Sequence, residues 1–584
     1  MSCLSGAVRW HAGGGKALRH DEKDVAAAWS RRGSRRGTRL FLILLLAVGA
    51  AAASAETVYE RDLGKGLGDW SFEAWDDSVT LTNVTMAGEK VLRLTRRPGK
   101  SATAWALKSS TFDLAGAGSY ALEIRFCGTN RWFFSNGDLK YGTYIRWFDR
   151  DGHDVEGLRT FGFSCNSRAM SLTSVCGEVP PGAVSAQISI GADSSPQLRD
   201  GEFVAISTVR LSTYPKKPDG LSRTELRDDG MALVDGKAFF PIGIFGVRKI
   251  HENGHSYTNA FRELKAAGFN AVQTYESWQS SAFCEFLDLA DDMGMKALVP
   301  GGAGSGNAFF NTKHVLAARA RKCLLSWYIG DDTALTVPER DLLWRNAQCK
   351  RFDPWHLTAH ADAAGGLCGH RCGVYIDGAD VFMPEVYPVQ RPNPTGREVE
   401  DALAAMTVTR NTFVASAIPR RAAWPIVQQF KGWGTWNRFP TREELRAMTF
   451  AMIVGRARGV FYFLYAGVAA RNGVGARNDP ARWDDLCRVV GEVSSIQEAL
   501  VARDAAVQPS VTSEGGRVVA LLKDSRDGLL VAVNVSPKPA HARIACRGVA
   551  TAESVLGPPR TYRADSGLSD DFAPFDVRVY RLCR

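Results

Sequence analysis

The sequence predicts a multidomain protein of mixed α/β and all-β class: a (β/α)8 TIM barrel flanked by an N-terminal jelly-roll-like domain and a C-terminal β-sandwich. Three observations carry this. From Phe240 to Tyr465, eight apolar strand-like runs alternate mostly with helical segments, over a length usual for that barrel. From Glu56 to Tyr214, short alternating stretches and turn signals stand where helical periodicity would be, as in a sandwich. Beyond residue 505 the chain returns to strands, with Phe575, Val577 and Val579 alternating against Asp576 and Arg578.

Residues 1–55 read as an export signal. Arg31-Arg32-Gly33-Ser34-Arg35-Arg36 precedes an apolar core, Leu40 to Val48, and a small-residue exit, Ala53-Ser54-Ala55. The core is short for a membrane span, so no stable insertion is expected after cleavage, and the location read is periplasmic, cell-surface or extracellular. The same segment holds nine Lys and Arg against three acids, and so supplies six of the chain's ten excess positive charges. No basic face remains in the folded part to suggest a nucleic-acid partner.

Residues 56–214 form the first sandwich, with runs such as Ser119 to Phe126 and Ala186 to Ile190. Trp70 and Trp75 are candidate sugar-stacking rings there. Residues 215–230 contain the linker Pro215-Lys216-Lys217-Pro218-Asp219-Gly220. Residues 231–504 are the barrel, its strands predicted at Phe240–Gly246, Asn270–Tyr275, Lys296–Val299, Cys323–Ile329, His356–His360, Asp380–Val386, Trp424–Gln429 and Gly459–Tyr465. Phe283, Phe286, Leu287 and Ala290 make an apolar helical stripe stopped by Gly294, and Thr441 with Glu444 is a capping box. Residues 505–584 are the second sandwich. Of the twelve cysteines, Cys165 and Cys176 are placed for a hairpin-like bridge. Cys368-Gly369-His370-Arg371-Cys372 lacks the second half of a zinc site. No metal or organic cofactor is expected.

Barrel chemistry sits at the carboxyl ends of the strands. Those ends read Arg248; Tyr275, Glu276 and Trp278; Pro300; Asp331 and Asp332; His360 and Asp362; Glu385 and Tyr387; Gln429, Trp433 and Trp436; and Tyr465. Acids and aromatics thus gather at one mouth. Aromatic faces suit the apolar face of a pyranose, and paired carboxylates suit cleavage of a glycosidic bond. Asp332, Asp331 and Glu385 are the candidate catalytic groups. Arg248, Tyr275, Glu276, Trp278, Tyr387, Gln429, Trp433, Trp436 and Tyr465 are the candidate substrate contacts. His360 reads as a core histidine.

Val234 to Gly243 resembles the first-strand segment of retaining (β/α)8 glycoside hydrolases of the β-galactosidase and cellulase superfamily. Leu324 to Asp332 is similar to the fourth-strand segment of bacterial relatives ending in Gly-Asp-Glu-Pro, and the resemblance, over about residues 230–500, gives Asp332 the acid/base role of that Glu. The sequence departs from the pattern in three places. Asp332 stands for Glu, Thr333 for Pro, and Gln429 for the nucleophilic Glu of strand seven. Three accounts are open: Glu385 or Glu276 supplies the second carboxylate; Asp331 orients the substrate's own acetamido group while Asp332 protonates the leaving oxygen; or the barrel only binds glycan. The expected partner is a carbohydrate, and the expected activity is that of an exported glycosidase.

Overall fold

The computed structural model describes residues 56–99, 104–114, 118–129, 143–155, 159–160, 170–192, 198, 201–214, 220–249, 256–276, 280–300, 315, 318–333, 337–363, 375, 378–390, 392–415, 421–466, 474–547, 549–559, 561–563 and 567–583. Eight parallel strands close into a barrel: β1 (Ile242–Ile244), β2 (Ala271–Gln273), β3 (Lys296–Pro300), β4 (Leu324–Gly330), β5 (Leu357–Ala363), β6 (Val381–Val386), β7 (Ile426–Gln428) and β8 (Val460–Phe463). Each pairs with the next, and β8 returns to β1 through Ile242↔Val460 and Ile244↔Tyr462. The two-residue strand Ala422–Ala423 precedes β7 and also pairs with β6.

Side chains alternate between two cores, as the strand period of two requires. Ala271, Leu298, Leu325, Ala359, Ala361, Met383, Trp424, Ile426 and Phe461 fill the barrel interior. Ile242, Val272, Ala297, Val299, Trp327, Val427 and Tyr462 face the surrounding helices. Small interior residues admit large ones opposite. A Cβ at Gly243 would stand 2.1 Å from the Phe461 ring, so only glycine fits there.

Among the described residues the longer helices are α1 (Tyr257–Ala267), α2 (Ser281–Asp292), α3 (Glu339–Phe352), α4 (Glu398–Ala415), α5 (Arg442–Val454) and α6 (Pro480–Ser495). The stripe Phe283, Phe286, Leu287 and Ala290 is the buried face of α2, whose N-cap Ser280 accepts from Phe283 N–H. The Thr441–Glu444 capping box opens α5, and such a cap contributes about 1 kcal/mol.

The N-terminal sandwich packs two six-stranded sheets about Trp105, Trp147 and Ile188. Leu343 of α3 joins that core and seats the sandwich on the barrel. The C-terminal sheets, three- and five-stranded, pack about Leu530, Ile544 and Tyr580. Val531, Val533, Val577 and Val579 turn instead to the barrel's helices. Beside them Asp504 binds Arg458 at 2.9 Å and Lys523 at 2.9 Å, a buried ionic contact between barrel and C-terminal sheet. Trp70 is buried with the core and Trp75 is exposed. Trp278, Cys165, Cys368, His370 and Cys372 lie outside the described residues.

Candidate active site

The site begins with the alternation of β4. Trp327 points outward and gives its Nε1–H to Asp353, while Tyr328 points inward. After Gly330 the chain turns sharply. A Cβ on Gly330 would meet Thr333 Cγ2 at 2.5 Å, so the missing side chain lets the turn close. Asp332 sits at φ 47°, a left-handed conformation that aspartate tolerates better than most residues. Thr333 is buried beneath it, its hydroxyl 3.1 Å from His360 Nδ1 and 3.3 Å from the Ala361 carbonyl. Backbone strain of this kind persists where surrounding contacts over-determine it, often at functional sites.

This turn leaves Asp331 half-buried and Asp332 at the exposed lip. Asp331 Oδ1 accepts from the Tyr328 hydroxyl at 2.8 Å, and the Tyr275 hydroxyl donates to the same carboxylate. Burial, reinforced by the charge of Asp332, pushes the Asp331 pKa up to about 6 against the pull of both phenols. The protein crowded around the Asp332 carboxyl raises its pKa as well, although its residue surface is open, and a hydrogen bond with Glu385 opposes that rise. Glu385, half-buried on β6, is therefore in direct contact with Asp332.

Three phenols enclose the acids. Burial and the neighbouring carboxylates hold Tyr275, Tyr328 and Tyr387 far above the ordinary tyrosine range. The Arg248 guanidinium lies 5.4 Å from the Tyr275 ring centre. Phe245 joins the phenols from below, 5.6 Å from Tyr328 and 6.4 Å from Tyr275. On the other side Tyr387 stands edge-on to Phe430 and Trp436, and Trp436 Nε1–H donates to the Tyr387 carbonyl at 3.0 Å. Trp433 extends this wall through Phe430 and Phe463.

The structure thus brings together Asp331, Asp332, Glu385, Tyr275, Tyr387 and Arg248, with Trp433 and Trp436 behind them. It separates three other candidates. Gln429 is buried outside the barrel wall, where its Nε2–H donates to the Arg482 carbonyl of α6 at 3.1 Å. The inward residue at that strand end is Gln428, fastened to the Val389 N–H and carbonyl at 2.9 Å each. Tyr465 likewise faces the helices, edge-on to Trp483 of α6 and 3.5 Å from Glu263. Gln429 falls one step out of the inward register that Ile426 and Gln428 follow, and Tyr465, past the end of β8, also faces outward. Glu276 Oε1 takes the Lys249 N–H at 2.9 Å and the Tyr257 hydroxyl at 3.1 Å. It ties the turn after β1 to α1, and Glu385 is the carboxylate that meets Asp332.

His360 is fully buried, and burial brings its pKa down to about 3, which keeps the imidazole neutral. Asp362 is buried as well. Arg438 serves the α5 cap through Glu444 and reaches Glu398. Tyr328 and Phe245 are the residues the strand-end reading passed over. Counting back in twos from Gly330 along β4 would have put Tyr328 on the inner face. Among the described residues, Asp149, Asp151 and His153 hold metal-ligating atoms within 4.8 Å. Asp149 there accepts from the backbone of Asp151 and His153, so it builds an exposed turn.

No family model matches this chain, and no curated protein matches its sequence. Solved structures resemble it in parts. A glycoside hydrolase family 5 protein from Bacteroides vulgatus is 11% identical, with 62% of this chain and 93% of that one covered, at TM-score 0.43. A glycosyl hydrolase family 2 member from Bacteroides cellulosilyticus is 11% identical at TM-score 0.31; the match covers 88% of this chain and 62% of that one. A β-glucuronidase from Bacteroides uniformis is 10% identical, with 85% and 61% covered, at TM-score 0.31. This chain therefore spans under two thirds of the two longer proteins. None of these likenesses bears on the chemistry of the site.

Proposed function

We propose that this protein hydrolyses a glycosidic bond of a poly- or oligosaccharide, with Asp332 as general acid/base and Glu385 as the second carboxylate. The observation that carries this reading is the hydrogen bond between those two groups at the barrel mouth, beside Asp331. Two carboxyls in contact hold one proton between them, since both cannot ionise at such range. The pair thus offers an acid and an anion together. The resemblance of Leu324 to Asp332 to the fourth-strand segment assigns Asp332 the delivery of the proton to the leaving oxygen, and Glu385 is then the group that meets the developing charge at the anomeric carbon. Asp331, held by Tyr328 and Tyr275, adds negative potential beneath the sugar ring, and the Tyr387–Trp436 wall supplies apolar contact.

Inverting enzymes leave about 6.5–9.5 Å between their carboxyls to admit water, whereas retaining pairs stand about 5–5.5 Å apart. Contact between Asp332 and Glu385 leaves no room between them for the inverting water, so retention is expected. A second reading rests on Asp331. Two phenols fix it next to Asp332, and β7 ends in glutamines, so Asp331 can orient an acetamido group that itself attacks the anomeric carbon. Export directed by residues 1–55 belongs to the same proposal, and N-terminal sequencing of the released protein checks it.

The test is hydrolysis of a glycan panel with the anomer followed by NMR. Turnover with retention, lost in Glu385→Gln, supports the main reading. Turnover confined to N-acetylated sugars and lost in Asp331→Asn supports the second. Binding with no turnover of any glycan overturns both and leaves a carbohydrate-binding barrel.

A further inference from the structure

The candidate site gathers more negative charge than cleavage of a neutral sugar requires. Asp331 and the Asp332–Glu385 pair converge from β4 and β6, and all three carboxylates act on the same two phenols, Tyr275 and Tyr387. Above about pH 6 Asp331 ionises, and it does so beside the hydrogen-bonded Asp332 and Glu385 carboxyls, so negative charge concentrates at this mouth. The Tyr hydroxyls cannot offset it, because they stay neutral. Arg248 stands 5.4 Å from the Tyr275 ring centre and is only partly buried. Its guanidinium is a cation already drawn to this combination of aromatic face and carboxylate field, and it lowers the energy of charge on Tyr275. It marks where a ligand's positive charge would find the same partners.

We infer that this site takes sugars carrying a protonated amino group, such as 2-amino-2-deoxy-hexose units, in preference to N-acetylated or neutral counterparts. The inference rests on the proposed function for its location in the mouth and deepens it by naming the substrate class. A charged amine placed among these acids gains Coulomb attraction in a partly desolvated site, where such attraction exceeds its value in water. An acetamido group forfeits that charge, and a hydroxyl never had it. Arg248 competes with the amine for the same field, so it limits the preference.

The experiment compares three tetrasaccharides that share one β-1,4 backbone and differ at carbon 2: the glucosamine tetramer, its fully N-acetylated form and cellotetraose. Binding is measured by calorimetry on the full-length protein at pH 6.5 in low and high salt, and hydrolysis is followed in parallel. The expected result is that the amine binds at least about tenfold tighter than either counterpart. The margin should shrink as salt rises. Asp331→Asn should erase the margin, and Arg248→Gln should widen it. Arg248 stands at the partly buried rim, so that variant tests the same field from the opposite sign, independently of Asp331→Asn. Equal or tighter binding of the N-acetyl or neutral tetramer overturns the inference, even where that tetramer is hydrolysed and the hydrolase reading stands. Preferential binding of the amine without cleavage of any of the three, or of the wider panel, sinks the hydrolase reading and leaves the cation preference intact.

Discussion

Two clusters of the same residue types sit at opposite ends of the barrel's fourth and fifth strands, and they behave in opposite ways. At the amino end of β5, Asp353 is fully buried, yet its pKa lies below the usual carboxylate range. Burial alone would raise it, but His356 Nδ1 at 2.8 Å and the Trp327 indole N–H at 2.8 Å overcome that effect. The chain of contacts ends at Ser222, whose hydroxyl is 3.1 Å from His356 Nε2. At the carboxyl end of β4, Asp331 is also shielded and receives two phenol hydrogen bonds, yet its pKa rises to about 6. Its neighbour is a second aspartate instead of a histidine. Burial with a complementary partner makes a carboxylate structural, and burial beside a like charge makes one that titrates near working pH.

Four experiments sharpen or break this comparison. Asp332→Asn should lower turnover of any responsive glycan by about 10²–10⁴-fold with the fold unchanged by circular dichroism. A variant that keeps wild-type turnover removes Asp332 from the chemistry. Asp353→Ala should destabilise the protein by about 3–5 kcal/mol, because it strands His356 and the Trp327 N–H in the interior. Denaturant unfolding checks this, and a change below 1 kcal/mol would show the network to be dispensable.

Asp331→Asn should act in the reverse sense. A carboxyl whose pKa is raised by folding favours the native state while protonated, and that contribution disappears as pH climbs from about 4 to about 6. Neutralising it should therefore stabilise the protein by about 1–3 kcal/mol at pH 7 and hardly at all at pH 4. Asp353 has the opposite sign, since its folded-state pKa is depressed. Its stabilisation is complete above about pH 4 and fades as pH falls through the folded value. Thermal melts of both variants against pH separate the two. The smallest effect is expected from Tyr328→Phe, which removes one hydrogen bond to ionised Asp331, worth about 1.5 kcal/mol. Any limb of the pH–rate profile that reports Asp331 should move upward, with a few-fold change in rate at pH 6; an unmoved limb would mean that Asp331 is silent in catalysis.

Much of the barrel was legible because buried parallel strands are written as apolar runs between helical stripes. The runs predicted at Lys296–Val299 and Asp380–Val386 match β3 and β6 to within a residue. Strand ends were harder to read, and the site depends on them. The run Trp424–Gln429 extends past β7, which ends at Gln428; the inward position is then Gln428, and Gln429 turns to α6. Tyr465 is in step with the inward Phe461 and Phe463, but it lies beyond the end of β8, where the alternation no longer holds, and packs on Trp483. A period-two code carries no margin for such an offset. The contact between Asp332 and Glu385 joins the turn after β4 to strand β6, remote in sequence, and no local pattern announces it. Nor does local sequence show that Glu276 is occupied by Lys249 and Tyr257.

The backbone at Asp332 carries a final implication. At φ 47° a glycine would rest more comfortably than any residue with a side chain. Asp332→Gly should consequently raise the melting temperature slightly while removing the carboxyl from the lip. Thermal tolerance and chemical competence would then part company at one position, as expected where a chain keeps a tense joint for the sake of the group mounted on it.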